Sequence, residues 1–214
     1  MGGGEKNNEP VREVSLDYYF AVGMTEVTQS QWQSVMGTSP SHFDSYNYPV
    51  ESVSWRDAQV FLRRLSEETG KQYRLLSEAE WEFLAWSHTQ PINCGELHRY
   101  WKNHLCITNL GWYGALGTAK RPHDVATKKP NRFGIYDLFG NVYEWTADCW
   151  NDNYKGAPLD GSAWMNGDCS KRVLRGGAWD SGTGSRYLRP HIRHSASIDY
   201  RDYSIGLRVA RDLD

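Results

Sequence analysis

Alternation of apolar and polar positions predicts strands near both ends of the chain. Residues 12–21 place four apolar side chains on one face of a strand: Val14, Leu16, Tyr18 and Phe20. Residues 172–179 and 205–211, near the C-terminus, alternate in the same way. We therefore expect one β-strand at each of these three places.

Three helices are predicted between the terminal strands. Thr28 caps a short helix over residues 29–36 that ends at Gly37. Ser54 begins a longer helix that stops at Gly70, and its apolar stripe consists of Trp55, Ala58, Phe61, Leu62 and Leu65. Ser77 and Glu80 form a capping box at the start of a third helix, which buries Trp81, Leu84 and Ala85.

Much of the remaining chain shows no regular period. Residues 72–76 favour a short strand, and residues 87–130 are typical of long ordered loops with isolated aromatic side chains. Residues 133–145 predict a turn, a short helical piece and a strand, and residues 149–169 predict a further loop. No repeat, low-complexity tract or linker is present, so we expect one α+β domain over residues 1–214.

Composition and charge exclude several classes of function. A chain of 214 residues is long enough for one well-buried domain. A hydrophobic share of 39% and a net charge of −2 give no electrostatic case for nucleic-acid binding. No apolar run reaches the length of a membrane span, and no signal peptide is visible.

The four cysteines do not have the spacing of a zinc ribbon or a thioredoxin-type site. Cys149 and Cys169 flank a loop that a disulfide would close, and Cys94 and Cys106 would pair likewise. Four separate reduced thiols are the alternative, because the compartment is not known from the sequence.

Residues 180–204, here called the tail segment, differ in composition from the rest of the chain. From Asp180 to the C-terminus there is no Lys, Glu, Gln, Met or Trp, although these five types supply 40 of the first 179 residues. Short polar and aromatic side chains on a long irregular segment, held by a strand at each end, suit a binding surface. A solvated surface loop is the alternative interpretation.

Several motifs in order along the chain resemble the formylglycine-generating-enzyme (sulfatase-modifying factor) family. They are TEVTQ at 25–29, YPV and VSW within 48–55, RLLSEAEWE at 74–82, GNVYEW at 140–145, RVLRGG at 172–177 and GLR at 206–208. The resemblance covers nearly the whole chain. It implies a loop-rich α+β, C-type-lectin-like fold of the formylglycine-generating-enzyme subtype, in which the N- and C-terminal strands pair.

The chemistry that this resemblance implies is not supported by the residues. The family's oxidase converts a substrate cysteine to formylglycine with two cysteines a few residues beyond the Gly-Gly motif, where copper binds. Thiolates suit Cu(I) because both are soft, yet no cysteine follows Gly177 here. We therefore predict a protein that is not an enzyme and has no cofactor. A formylglycine-generating or related metal-dependent oxidase with ligands from elsewhere in the chain is the alternative.

Other metal sites find little support in the sequence. The related sulfoxide synthases need an additional helical domain, for which this chain has no room. His191 and His194, with Asp199 nearby, have a helical spacing that Pro190 disfavours, so we interpret them as exposed polar residues. The turn at 141–144 resembles a calcium-supporting loop of some relatives, so a structural calcium ion stays open. For Glu144, which could form an acid pair with Asp148, we favour a structural hydrogen-bonding role.

The tail segment is similar in position and composition to that of the variable proteins of diversity-generating retroelements, several of which use this fold. Mutation at the adenines of their asparagine codons excludes Lys, Glu, Gln, Met and Trp, the five types that are missing here. The resemblance implies a non-enzymatic protein that binds a protein or other macromolecular ligand through a diversified C-terminal surface. It favours a cell-surface, secreted or virion-displayed location. A catalytically dead structural or regulatory relative without a retroelement is a second alternative.

Within the tail segment and at its end, five positions are expected to point inward: Leu188, Ile192 and Ile205, with Arg189 and Arg193 as buried ion-pair or backbone anchors. Thirteen others are predicted to point outward and contact the ligand: Asp180, Ser181, Thr183, Ser185, Tyr187, His191, His194, Ser195, Ser197, Asp199, Tyr200, Asp202 and Tyr203. The three tyrosines are the hot-spot candidates, because tyrosine offers a large face and a hydroxyl at little rotamer cost.

Overall fold

A computed structural model describes residues 1, 12–87, 108–114, 120–182 and 188–213. Its helices and strands, in chain order, are β1 Phe20–Val22, α1 Gln29–Met36, α2 Trp55–Thr69, β2 Arg74–Leu75, α3 Glu78–Trp86, β3 Tyr143–Trp150, β4 Asp168–Arg175, β5 His194–Ser197, β6 Ile205–Leu207 and β7 Val209–Asp212. Helices and strands occur together, so the predicted α+β class is confirmed.

The three predicted helices and their N-terminal caps are confirmed. Thr28, Ser54 and Ser77 each accept a hydrogen bond from the backbone N–H three residues later, and each belongs to a complete capping box. Gly37 and Gly70 end α1 and α2 in the left-handed conformation, at a φ of 70°. These helix ends are determined by local hydrogen bonds, which explains why the sequence predicted them well.

The strands form two sheets. In one, β7 lies between β1 and β2, and Phe20 pairs with Asp212, which confirms the expected pairing of the terminal strands. In the other, the order is β5-β4-β3-β6, with β6 parallel to β3. The second sheet packs against α1 and α2 through an apolar core in which Trp32 stacks on Phe61 with ring centroids 5.1 Å apart.

The last predicted strand divides at Arg208 into β6 and β7, which belong to different sheets. The guanidinium of Arg208 is fully buried and donates to Glu144 Oε1 at 2.7 Å, and to the carbonyls of Gly23 and Tyr136. A buried cation with these partners fixes the point at which the chain passes from one sheet to the other.

Three further predictions of secondary structure are wrong. The strand predicted over 12–21 reduces to β1, because β7 offers only a short edge for pairing. No helical piece forms within 133–145, because Asp137, Gly140 and Asn141 all have φ between 57° and 79°. The tail segment is not irregular throughout, since β5 pairs antiparallel with β4 along the edge of the sheet.

The predicted disulfide between Cys149 and Cys169 is present. It joins β3 to β4, where the ladder between the two strands shifts its register. Cys94 and Cys106 lie outside the described residues, so their predicted pairing stays a prediction. Among the helices that are described, none has the length and apolar character to cross a membrane.

Candidate functional site

The start of the tail segment is closed by a tight turn. The Ser181 hydroxyl accepts a hydrogen bond from the Ala178 N–H at 2.8 Å, and the Ser181 carbonyl accepts one from the Gly114 N–H at 3.1 Å. Ser181 is therefore only 8% exposed, and its predicted outward orientation is wrong. Asp180, on the outside of the same turn, is exposed as predicted.

Arg193 anchors the middle of the tail segment. Its guanidinium donates to both carboxylate oxygens of Glu78, at 2.6 and 2.9 Å, and to the Asn151 carbonyl at 2.8 Å. It also lies over the Tyr154 ring, 4.3 Å from the centroid. The side chain is 5% exposed, so the prediction that Arg193 is a buried ion-pair anchor is confirmed.

The other four positions that were predicted to point inward differ in burial. Leu188 and Ile205 are buried in the two apolar cores. Ile192 and Arg189 are only half-buried, because they lie in the turns that lead into β5. Within its described residues, the segment is thus held at a few buried points, while several other side chains lie outside the two apolar cores.

Strand β5 places the next residues at the edge of a sheet. His194 pairs with Leu174, and its ring meets the Tyr143 ring edge-on, with the centroids 5.1 Å apart. Burial, and then the nearby charge of Arg175, lower the pKa of His194. Ser195 is half-buried, whereas Ser197 at the end of the strand is exposed.

Residues 199–203 form the most exposed described part of the tail segment. Tyr200 and Tyr203 are 49% and 44% exposed. Asp199 pairs with Arg56 at 2.8 Å, and Arg201 donates to both oxygens of Asp57 at 2.8 and 2.9 Å. These two ion pairs attach the turn to the first turn of α2 without burying it.

Four rings surround the end of this turn, and we call them the aromatic patch: His42, Phe43, Trp179 and Tyr203. Phe43 meets Trp179 edge-on at 5.4 Å, and Trp179 lies 5.6 Å from Tyr203. The indole N–H of Trp179 donates to the Tyr203 carbonyl at 3.3 Å. Three of these four residues lie outside the tail segment, so the exposed surface extends beyond it.

The thirteen residues predicted to contact a ligand therefore do not all share one environment. The exposed ones are Asp180, Ser197, Asp199, Tyr200 and Tyr203. The half-buried ones are His191, His194, Ser195 and Asp202. Thr183, Ser185 and Tyr187 lie outside the described residues, and Ser181 is buried. Ligand contact by the accessible members stays a prediction.

The interior of the protein contains a group of buried charges. Glu144 accepts from Arg208 and from the Trp81 indole N–H at 2.9 Å, in accord with a structural hydrogen-bonding role. Asp148 accepts from the backbone N–H groups of Glu78 and Trp164 at 2.7 and 2.8 Å. Burial, and then the charge of Glu78, raise the pKa of Asp148 to about 7.

The residues do not fit the copper of the family's oxidase. The stretch after Gly177 offers oxygen donors, and the Ser181 hydroxyl already accepts from Ala178 and contacts the Tyr143 hydroxyl. Soft thiolates, which Cu(I) prefers, are absent from the sequence after this point. In the described ranges, no three His, Cys, Asp or Glu side chains gather as they would around a metal ion.

At the turn that suggested calcium, protein groups already use most of the oxygens. The Asn141 amide donates to Glu26 Oε2 at 2.8 Å and its oxygen accepts from the His123 N–H, while Glu144 serves Arg208 and Trp81. Burial, and then the charges of Asp137 and Glu144, raise the pKa of Glu26. These contacts leave few oxygens for an ion, and the structural calcium ion stays an untested proposal.

The fold defined by these elements is the C-type-lectin-like fold of the formylglycine-generating-enzyme subtype. The family profile described as the sulfatase-modifying factor enzyme 1-like domain matches residues 1–213. The chain belongs to this family. It is 31% identical to the formylglycine-generating enzyme of Mus musculus over 87% of its own length, but it spans only 50% of that enzyme. It is also 29% identical, over 86% of the chain, to the inactive C-alpha-formylglycine-generating enzyme 2 of Bos taurus, of which it spans 57%.

Solved structures show the same likeness. Treponema denticola variable protein 1 superimposes with a TM-score of 0.78 and 30% identity, over 91% of this chain and 84% of that one. PvdO from Pseudomonas aeruginosa superimposes with a TM-score of 0.78 and 32% identity, over 91% of this chain and 80% of that chain. The matched relatives are named as an active enzyme, an inactive enzyme and a variable protein, and they share one scaffold. The scaffold alone therefore does not assign an activity.

Sequence reasoning missed the contribution of His42, Phe43 and Trp179 to the candidate surface. The first two lie in a loop with no periodicity, and Trp179 closes a predicted strand. The one available signal was chemical: aromatic side chains in a polar loop form packed or binding surfaces more often than solvated ones.

Proposed function

We propose that this chain is a non-enzymatic ligand-binding protein that displays a diversified C-terminal surface, as the variable protein of a diversity-generating retroelement. The observation that carries the proposal is the division within the tail segment. Arg193 and Leu188 hold the segment to the buried core and its sheets, which we call the frame. Ser197, Asp199, Tyr200 and Tyr203 remain exposed. Such a frame tolerates many side chains at the exposed positions without losing its core.

Two further findings support the proposal. The five residue types that adenine mutagenesis of asparagine codons cannot produce are absent from Asp180 onward. The scaffold is that of Treponema denticola variable protein 1. The proposed ligand is a protein or other macromolecule, because the exposed positions lie on an open surface that suits a broad contact.

The absence of enzymatic activity is part of the proposal. Ser181 stands in the stretch where the family's oxidase has its thiols, and an oxygen donor does not replace a soft ligand of Cu(I). The disulfide between Cys149 and Cys169 favours an oxidising location, which agrees with a cell-surface, secreted or virion-displayed protein.

The genomic DNA around the coding sequence tests the proposed diversification. We expect a near-identical repeat of the segment that encodes residues 180–204, differing chiefly at adenines, beside a reverse-transcriptase gene. A locus that lacks both elements would contradict diversification and would leave a non-diversified binding or structural protein.

An activity assay tests the non-enzymatic part separately. The purified chain, supplied with Cu(I), is incubated with a cysteine-containing sulfatase peptide, and mass spectrometry measures formylglycine. We expect no conversion, whereas a formylglycine-generating enzyme assayed in parallel converts the peptide. Turnover by this chain above the copper-only blank would establish the oxidase alternative.

A further inference from the structure

The aromatic patch combines residues of two origins. His42 and Phe43 come from the loop between α1 and α2, far from the tail segment in the sequence, and Trp179 comes from the turn after β4. Tyr203 is the member from the tail segment itself, and its ring lies 6.4 Å from Phe43. On the proposed function, three rings are constant and the fourth belongs to the diversified set.

The constant part of the patch is held firmly. The backbone N–H of Phe43 donates to Glu51 Oε1 at 2.8 Å, and the Ser52 hydroxyl donates to Glu51 Oε2 at 2.6 Å. Glu51 is fully buried, so this carboxylate fixes the loop to the interior. Rings that are positioned before binding lose little conformational entropy when a ligand arrives.

Acidic side chains flank the patch. Asp180 follows Trp179 in the chain and Asp202 precedes Tyr203. One oxygen of Asp202 accepts from the N–H and hydroxyl of Ser204, at 2.9 and 2.6 Å, which holds the carboxylate in place. Burial, and then the charge of Asp202, raise the pKa of Asp180.

Two arginines described on this surface are already paired with carboxylates. Arg56 pairs with Asp199, and Arg201 pairs with Asp57. Within the residues that the structure describes, neither Asp180 nor Asp202 has a Lys, Arg or His ion-pair partner. The surface beside the rings therefore carries negative charge that a ligand can complement.

We propose that the aromatic patch, together with Asp180 and Asp202, binds a basic side chain, lysine or arginine, of a protein ligand. The inference rests on the proposed function and specifies the chemistry of its partner. A cation over an aromatic face is attracted by the ring quadrupole, and the neighbouring carboxylates add direct charge complementarity. Phe43 and Trp179 serve any variant of the surface, whereas Asp180, Asp202 and Tyr203 give this sequence its preference for positive charge.

Small probes test the proposal without a known ligand. Acetyl-arginine methylamide is titrated into the full chain, and its neutral isostere acetyl-citrulline methylamide is titrated in parallel at equal ionic strength. The indole N–H signal of Trp179, assigned from the spectrum of Trp179→Phe, reports binding by NMR. We expect a saturable shift with the arginine probe and binding of the citrulline probe that is about two- to fivefold weaker.

Three variants test which residues are responsible for the preference for the charged probe. Asp180→Asn/Asp202→Asn should reduce the preference for the charged probe, because each amide keeps the size and one acceptor oxygen of the carboxylate but loses its charge. Phe43→Leu should weaken binding of the charged probe, because leucine keeps the apolar bulk but removes the aromatic ring. Glu67→Gln/Glu68→Gln is the matched control, since it removes two exposed carboxylates on α2.

We expect a smaller preference for the charged probe in Asp180→Asn/Asp202→Asn and an unchanged preference in Glu67→Gln/Glu68→Gln. Equal binding of both probes by the unaltered chain, or an equal loss in the control variant, would overturn the proposal. Either result is independent of the proposed diversification, which the genomic repeat tests by itself. A thermal melt of each variant shows that a lost signal does not come from unfolding.

Discussion

Arg193 and Arg201 differ in one respect that separates the frame of this protein from its candidate surface. Both arginines belong to the tail segment, and both donate two hydrogen bonds to a carboxylate in the first turn of a helix. Arg193 and its partner Glu78 are 5% and 2% exposed, whereas Arg201 and its partner Asp57 are 54% and 30% exposed. Of these two ion pairs, one therefore lies in the interior and the other at the surface.

The comparison teaches which positions of the segment can change. Removing one partner of a buried pair leaves the other charge without solvent or counter-charge, which is strongly destabilising. An exposed pair is screened by water and salt and contributes little. We infer that Arg193 belongs to the fold and that Arg201 belongs to the surface, although they lie only eight positions apart.

The largest effect on stability is expected when the buried arginine is replaced and the exposed one serves as the comparison. Arg193→Met should lower the free energy of unfolding by about 3–5 kcal/mol, because the buried Glu78 would lose both hydrogen bonds from its nearer counter-charge and keep only Arg175, 3.6 Å away, as a counter-charge. Arg201→Met, the matched control, should lower it by less than about 1 kcal/mol. Urea denaturation followed by circular dichroism measures both. If Arg193→Met does not fold, Arg193→Lys, which keeps the charge, should fold with reduced stability. Similar losses in the two Met variants would refute the contrast.

The disulfide provides a second test of how the frame is stabilised. It joins β3 to β4, and β4 is the strand on which β5 of the tail segment pairs. Replacing Cys149 by alanine and Cys169 by serine should lower the free energy of unfolding by about 3 kcal/mol, as expected for a loop of 20 residues. Thermal melts of the double variant, and of the unaltered chain with and without reductant, measure this cost. A variant as stable as the oxidised chain would mean that the frame does not depend on the disulfide.

Acidity should act with opposite sign on the frame and the surface. The folded-state pKa of Asp148, about 7, lies above its ordinary value of 3.8, so the native state binds the extra proton between these values. This contribution to stability is present at low pH and is lost as the pH rises through 7. The stability deficit of Asp148→Asn should therefore narrow, by about 1–2 kcal/mol, between pH 5 and pH 7.

Asp57 provides the contrasting measurement. Its partial burial raises its pKa, but the hydrogen bonds from Arg201 and Ser54 outweigh burial and lower the pKa below 3.8. This contribution to stability is present above the unfolded pKa and is lost as the pH falls through the folded pKa, so the deficit of Asp57→Asn should narrow in acid. Deficits that change in the same direction for both variants would contradict the assignment of Asp148 to the frame.

Local hydrogen bonding explains which parts of this structure the sequence predicted. The helix ends at Ser54, Ser77 and Gly70 depend on residues within one turn, and all three were predicted. Arg193 was predicted as a buried ion-pair or backbone anchor, although its partner Glu78 could not be identified at a separation of 115 residues. Residue patterns within one helical turn therefore predicted the helix ends of the frame, but not the ion pairs between distant residues.

Contacts distant in sequence explain what was missed. Ser181 faces inward because a turn closes on Ala178 and Gly114, and composition alone made it look like a surface residue. Strand β5 forms because the edge of β4 is available, and no β-branched run announces it. Phe43 reaches Trp179 only through the tertiary fold, so the aromatic patch had no signature along the chain.

The smallest effect on stability, with the most direct bearing on function, is expected at Tyr200 and Tyr203. Both rings are nearly half exposed, so each change to alanine should alter the free energy of unfolding by no more than about 0.5 kcal/mol. A protein ligand selected against the unaltered chain from a displayed library should nevertheless lose about tenfold or more in affinity for each variant, as binding hot spots do. Surface plasmon resonance measures the affinity, and Tyr19→Ala, at an exposed ring outside the patch, is the matched control. Variants that melt as Arg193→Met does would place these tyrosines in the frame, and variants that bind the ligand normally would remove them from the binding surface.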